Sequence, residues 1–162
     1  MLVSNTSTLV LLAKISCLEE FIAISPLIEI PSQVKEEALF EKESYDAKLI
    51  HKLIQAQKIK VIQVEAPEVK NIMASFRLDE GEAAAFVLFD IKKHKAILTD
   101  DGELIKLCKL QNAPFVCAMA VVIRLHEKNI LAKEKTLEKL KELNTIGRYS
   151  KELYEHFKKE VK

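Results

Sequence analysis

Glycine and proline are scarce in this chain, at three and four residues of 162. That scarcity argues against long flexible linkers. Charge of one sign is also lacking. The formal balance is +1, too small to point to a nucleic acid or a membrane surface by itself. Bases outnumber acids only in the C-terminal half. That tilt offers weak attraction for phosphate, and it equally describes solvated Lys/Glu helix faces. No apolar run approaches the ~18 residues of a membrane span. The N-terminus lacks the basic segment of a secretory signal, so a cytoplasmic protein without membrane contact is expected. The cysteines Cys17, Cys108 and Cys117 are odd in number, show no C-x-x-C spacing and lie in apolar surroundings. They fit buried thiols in a reducing compartment. No metal-ligand spacing joins them to His51, His94, His126 or His156, which read as structural or exposed. The phosphate-loop, dinucleotide and nucleophile-elbow motifs are missing too. Neither an internal repeat nor a low-complexity segment occurs.

What is present is an apolar fraction of 49%, enough for a core and against intrinsic disorder. The length fits one domain over residues 1–162. Short apolar runs alternate with helical periodicity. Strands are expected at Met1–Ser4, Leu27–Pro31, Ile59–Val64 (a sheet edge), Ala96–Thr99 and Pro114–Cys117. Helices are expected at Thr8–Ile15, Cys17–Ile24, Gln33–Phe40 behind a Ser32 cap, Ser44–Lys58, Ala66–Phe76, Glu80–Lys92, Asp101–Leu110, Ala118–Glu127 and Lys133–Leu143. Gly147 is expected to cap a helix end, and Ser150 to open a final helix. This alternation argues for a mostly parallel sheet with helices on both faces. Residues 1–128 would form the α/β core, and 129–162 the C-terminal helices.

Acids recur where the strands should stop. Ile28-Glu29-Ile30-Pro31 leads to Glu36 and Glu37, Leu78-Asp79-Glu80-Gly81 to Glu82, and Ala96–Thr99 to Asp100 and Asp101. The first strand ends at Asn5 instead. Ligands of open parallel sheets bind outside the carboxyl ends of the strands, and gathered carboxylates need a cation or a shared proton. A divalent metal site is therefore the first functional expectation. Each residue also has a plainer reading. Asp100 can cap a helix, Glu82 can close a capping box with Asp79, Glu36 and Glu37 can face solvent, and Asn5 can cap beside Thr6 and Ser7.

Val3-Ser4-Asn5-Thr6-Ser7 followed by Leu9–Ile15, Ile30–Glu37, Leu78–Ala83, Leu98–Asp101 and Gly147–Ser150 together resemble the PIN domain family. The chain looks closest to VapC-type and DUF3368-related members. The resemblance implies a three-layer α/β/α sandwich with a central parallel sheet, and an acidic pocket holding Mg²⁺ or Mn²⁺ for RNA cleavage. On that pattern Asn5 takes the first acidic position, Glu37 the second, Glu82 the third, and Asp100 with Asp101 completes the set. Thr6, Ser7 and Thr99 would bind metal-held water or phosphate. The sequence departs from the pattern at Asn5, where many members carry Asp. It departs again at Ile105, near the place of a frequent Arg, where Lys106 is the nearest base. The resemblance further implies an antitoxin protein as partner and a homodimer, with Ser44–Lys58 as a helix that packs either in the dimer or in its own core. Two other readings are an RNA- or protein-binding module that does not cleave, and a phosphoacceptor receiver domain. The latter is disfavoured because its acid pair would follow the first strand.

Overall fold

The structure, a computed structural model, describes residues Met1 to Lys162. In chain order it runs β1 (Leu2–Ser4), α1 (Thr6–Lys14), α2 (Leu18–Ile24), β2 (Ile28–Pro31), α3 (Ser32–Ala38), α4 (Tyr45–Gln55), β3 (Ile59–Ile62), α5 (Ala66–Ser75), α6 (Glu80–Leu88), β4 (Ile97–Leu98), α7 (Gly102–Leu110), β5 (Phe115–Val116), α8 (Ala118–Glu127), α9 (Lys133–Ile146) and α10 (Lys151–Lys159). The five strands form one sheet in the order β3-β2-β1-β4-β5. All pairings are parallel: Val3 lies beside Glu29 on one side and Ile97 on the other, and β5 continues from β4.

Short strands suffice because both faces of the sheet are covered. Side chains alternate across a strand, and the core divides accordingly. Leu2, Ile28, Ile30 and Leu98 point into the larger cluster with α1, α2, α4, α8 and α9. Val3 and Ile97 point into the smaller one with α6 and α7. Ala83, Ala84 and Ala85 are fully buried there, so α6 lies close against the sheet, as its small residues predict. The result is the expected three-layer α/β/α sandwich. The expected edge strand at Ile59–Val64 is β3, one residue pair shorter and at the sheet margin.

Scarce glycine has a structural counterpart at the helix ends. The α1, α4, α7 and α8 helices are followed by Ser16, Gln57, Asn112 and Asn129, all with positive φ. After α4, the Gln57 N–H donates to Ile54 O at 3.0 Å and the Lys58 N–H to Leu53 O at 2.9 Å, the paired bonds of a Schellman ending. Non-glycine residues accept the left-handed conformation here at a cost of ~1–2 kcal/mol each. Gly147, expected to cap a helix, does follow α9 but in an extended conformation, φ −99°. A Cβ there would overlap the Tyr149 ring, so close approach is what requires glycine. Two other helix starts differ from expectation. Ser32 is the first residue of α3 rather than its cap, and Asp101 caps α7 rather than beginning it. The helix expected to reach Lys92 stops at Leu88, because Phe89 is extended and Asp90–His94 form a turn tied by the Asp90 N–H to His94 Nδ1. That nitrogen accepts, so Nε2 carries the proton and donates to the buried Glu29 at 2.7 Å. His94 is structural.

Candidate acidic site at the carboxyl rim

Chain order reverses at β1, which has β2 on one side and β4 on the other. Such a switch point opens a crevice at the carboxyl ends of the strands. Asn5 leaves β1 there, and Thr99, Asp100 and Asp101 leave β4. Hydroxyls stitch the two segments together. The Asp100 N–H donates to Ser7 Oγ at 3.0 Å, and the Asp101 N–H to Thr99 Oγ1 at 3.1 Å. Asn5 is buried, and its Nδ2 donates to Thr99 Oγ1 at 3.3 Å and to Ser7 Oγ at 3.4 Å. Its Oδ1 accepts the Thr6 N–H at 2.7 Å. An aspartate could not make the two donations. Asn5 thus acts as a crosslink between β1 and β4, and it brings no anion to the rim.

The α6 N-terminus reaches the same rim from the other direction. Asp79 Oδ1 accepts the Glu82 N–H at 2.8 Å, and Glu82 Oε2 accepts the Asp79 N–H at 2.9 Å. The capping box read from the sequence is therefore formed. Glu82 does more than cap. Its carboxyl also meets the side chain of Asp101, whose Oδ1 accepts the Leu104 N–H at 2.8 Å at the start of α7. Two capping acids of two helices thus face each other. Burial raises the Glu82 carboxyl to about 8, offset in part by the Asp79 N–H, and the negative charges of Asp79 and Asp101 push it further the same way. Glu82 therefore keeps its proton well above the ordinary carboxylate range.

Glu37 joins from α3. Its Oε2 accepts the Thr6 hydroxyl at 2.8 Å, and its carboxyl accepts the Gly81 N–H in the first turn of α6. Any Cβ at residue 81 would overlap this carboxyl, so Gly81 is what admits Glu37. Partial burial raises the Glu37 carboxyl, with Asp79 and Glu80 adding to the rise, while the Thr6 and Gly81 donors lower it. Glu36, its neighbour, is exposed.

Asp100 turns the opposite way. Its Oδ1 accepts the Thr8 hydroxyl at 2.6 Å and the Ala118 N–H at 2.9 Å, and its Oδ2 accepts the Tyr149 hydroxyl. Burial raises its carboxyl, and these three donors oppose the rise. Asp100 therefore caps α8 and anchors the segment before α10, while Asp101 alone of the pair faces Glu82. Tyr149 belongs to this neighbourhood, and its only local signal is its place in the Gly147–Ser150 turn. Lys106 is exposed and paired with Glu103 at 3.1 Å.

No three His, Cys, Asp or Glu side chains gather closely enough to hold a metal ion among themselves. The donor set still fits a hard cation. Glu82 and Asp101 each spend one oxygen on a helix cap and keep the other, and Mg²⁺ is commonly bound through one or two carboxylates with waters and substrate phosphate. The Cys117 thiol lies near Asp100, and burial together with the Asp100 charge pushes it up to about 11, which disfavours the thiolate that a soft metal needs.

An all-parallel α/β/α sandwich with acids at its switch point is the arrangement of a PIN-like fold. A family model described as "DUF3368: PIN domain" matches residues 1–162. The chain belongs to that family. No curated protein and no solved structure matches it.

Proposed function

We propose that the chain is a divalent-metal-dependent endoribonuclease in which Glu82 and Asp101 hold Mg²⁺ or Mn²⁺. The observation that carries this reading is the meeting of these two carboxyls at the switch point, with Glu82 raised to about 8. A carboxyl held protonated beside a second acid gains most when a dication takes the place of the proton. The ion, when bound, would polarise a phosphate oxygen and lower the pKa of water. The chain's residues do the rest. Glu82 and Asp101 place the charge and exchange a proton with water. Glu37, held by Thr6 and Gly81, orients water from the α3 side. Thr99 and Ser7 fix the β1 and β4 ends so that the acids keep their separation, and Asn5 holds both. Asp100 supports the site from beneath as the cap of α8.

RNA is the substrate in this reading. The family resemblance supports a toxin role with an antitoxin partner, action in the cytoplasm, and a homodimer. The test is cleavage of a labelled single-stranded RNA in Mn²⁺ or Mg²⁺, with calorimetric titration of the metal alone. Cleavage should stop in EDTA, and Glu82→Gln or Asp101→Asn should abolish both cleavage and metal binding. Activity that persists in EDTA would overturn the metal mechanism.

Asn5 favours one other reading, a PIN module that binds RNA or protein without cutting. Its amide replaces an anion and is fully engaged in hydrogen bonds. RNA binding with no measurable metal binding would establish that reading instead.

A further inference from the structure

The corner where α3 gives way to α4 carries features that the acidic rim does not use. Phe40 is 82% exposed and Tyr45 is 61% exposed. Beside them lies a cavity of about 350 Å³ lined by Leu39, Lys42, Ala47, Lys48 and His51. No carboxylate lines it. Lys42 makes no ion pair, and Lys48 makes only an exposed one with Glu43 at 3.2 Å. The corner begins three residues after Glu37, whose backbone oxygen accepts the Phe40 N–H at 3.3 Å. Phe40 thus starts within one helical turn of an acid that faces the candidate site.

We infer that this corner is a binding subsite for single-stranded nucleic acid, in which Phe40 and Tyr45 stack on bases and Lys42, Lys48 and His51 receive a phosphate. The inference rests on the nuclease reading and deepens it. Exposed rings offer stacking faces to any base that is unpaired, which a duplex does not present. Lys42, Lys48 and His51 line the cavity, and their side-chain donors are of the kind a phosphate accepts. Glu41 and Glu43 sit in the same loop but outside the cavity lining. Their presence favours a strand held by stacking and one local phosphate over broad electrostatic adhesion.

The experiment is fluorescence anisotropy of the full chain with a labelled oligouridylate, as RNA and as DNA, in EDTA so that no strand is cut, over a range of salt. Phe40→Ala and Tyr45→Ala should each weaken binding at least ~5-fold, in keeping with the loss of one base stack. Lys42→Ala with Lys48→Ala should flatten the salt dependence, by ~0.7 in log–log slope for each phosphate no longer neutralised. A side chain needed only for folding would leave that slope unchanged. RNA alone binding, or RNA and DNA binding alike, both support the subsite and assign its sugar preference. If the wild-type chain binds the strand and all three variants bind with the same affinity and slope, the subsite is wrong and the nuclease reading stands. If the wild-type chain binds no strand in EDTA, the subsite is wrong, and the nuclease reading is decided by cleavage in Mn²⁺ or Mg²⁺. If Phe40→Ala turns a dimer into a monomer in sedimentation while strand affinity is kept, the corner is an interface between copies and the inference is overturned.

Discussion

At the scale of single residues, the two adjacent aspartates separate into different roles. Asp100 has three donors on its carboxylate, and an amide in its place would set an NH₂ group against one of them. Asp100→Asn is expected to lower stability by ~1–3 kcal/mol, measured by urea unfolding. Asp101→Asn keeps an oxygen for the Leu104 N–H and should stay within ~0.5 kcal/mol of wild type, while losing metal binding. Glu82 gives a pH signature. Its carboxyl is raised in the fold, so the folded chain holds a proton that the unfolded chain releases near the ordinary value of 4.5. Its contribution to stability is therefore greatest below about pH 4.5 and is lost as pH rises through about 8. Metal-free Glu82→Gln keeps the cap and lacks the ionisation. It should melt at a higher temperature than wild type at pH 8–9, with the gap closing toward pH 5, as read by thermal unfolding in EDTA.

At the scale of elements, the site is an assembly of helix beginnings. The first turn of α6 receives Glu37 at Gly81 and Asp79 at Glu82, and the first turn of α7 receives Asp101. Anions are favoured at such ends by the helix dipole. Gly81 is the point where packing and placement can be separated. Alanine there is the better helix former by ~1 kcal/mol, and the group it would displace is the flexible end of the Glu37 side chain. Gly81→Ala should therefore hold or slightly raise stability while lowering RNA cleavage as much as Glu37→Ala does. In the Gly81→Ala background, Glu37→Ala should have no further effect on cleavage. Such elements were legible in the sequence. Strong periodicity located all five strands and all ten helices to within a few residues, and Asp79-x-x-Glu82 announced the capping box. Which oxygen of which acid faces the rim was not legible. That choice depends on tertiary donors such as Thr8, Ala118 and Tyr149, which lie 92, 18 and 49 residues from Asp100. The Asn5 amide link to Thr99, 94 residues away, is likewise long-range, and local sequence showed only a good cap.

At the scale of the whole molecule, the C-terminal helix is held more lightly than the rest. No residue of α10 is buried, and a cavity of about 560 Å³ lies between it, α8 and the sheet, lined by Leu2, Phe21, Leu98, Val121 and Phe157 among others. The Tyr149 hydroxyl on Asp100 is a principal polar tie between the segment leading into α10 and the carboxyl end of the sheet. Tyr149→Phe should leave α8 and α9 protected while the amides of α10 exchange faster with solvent deuterium, because local opening follows the least buried unit. The strand–helix alternation ends with α8, and only α9 and α10 follow it. The looseness of the last helix was not legible in the sequence, since its apolar residues have ordinary helical spacing. Only the packed structure shows that they meet a hollow.

Glu82 and Asp101 each serve a helix end as well as the rim. Natural selection for folding alone would preserve both. A lineage that gave up hydrolysis would keep these two letters for as long as it kept its shape, so the inheritance of this acid pair marks descent before it marks activity. A survey of relatives should find the two positions drifting less than Lys106, which caps no helix.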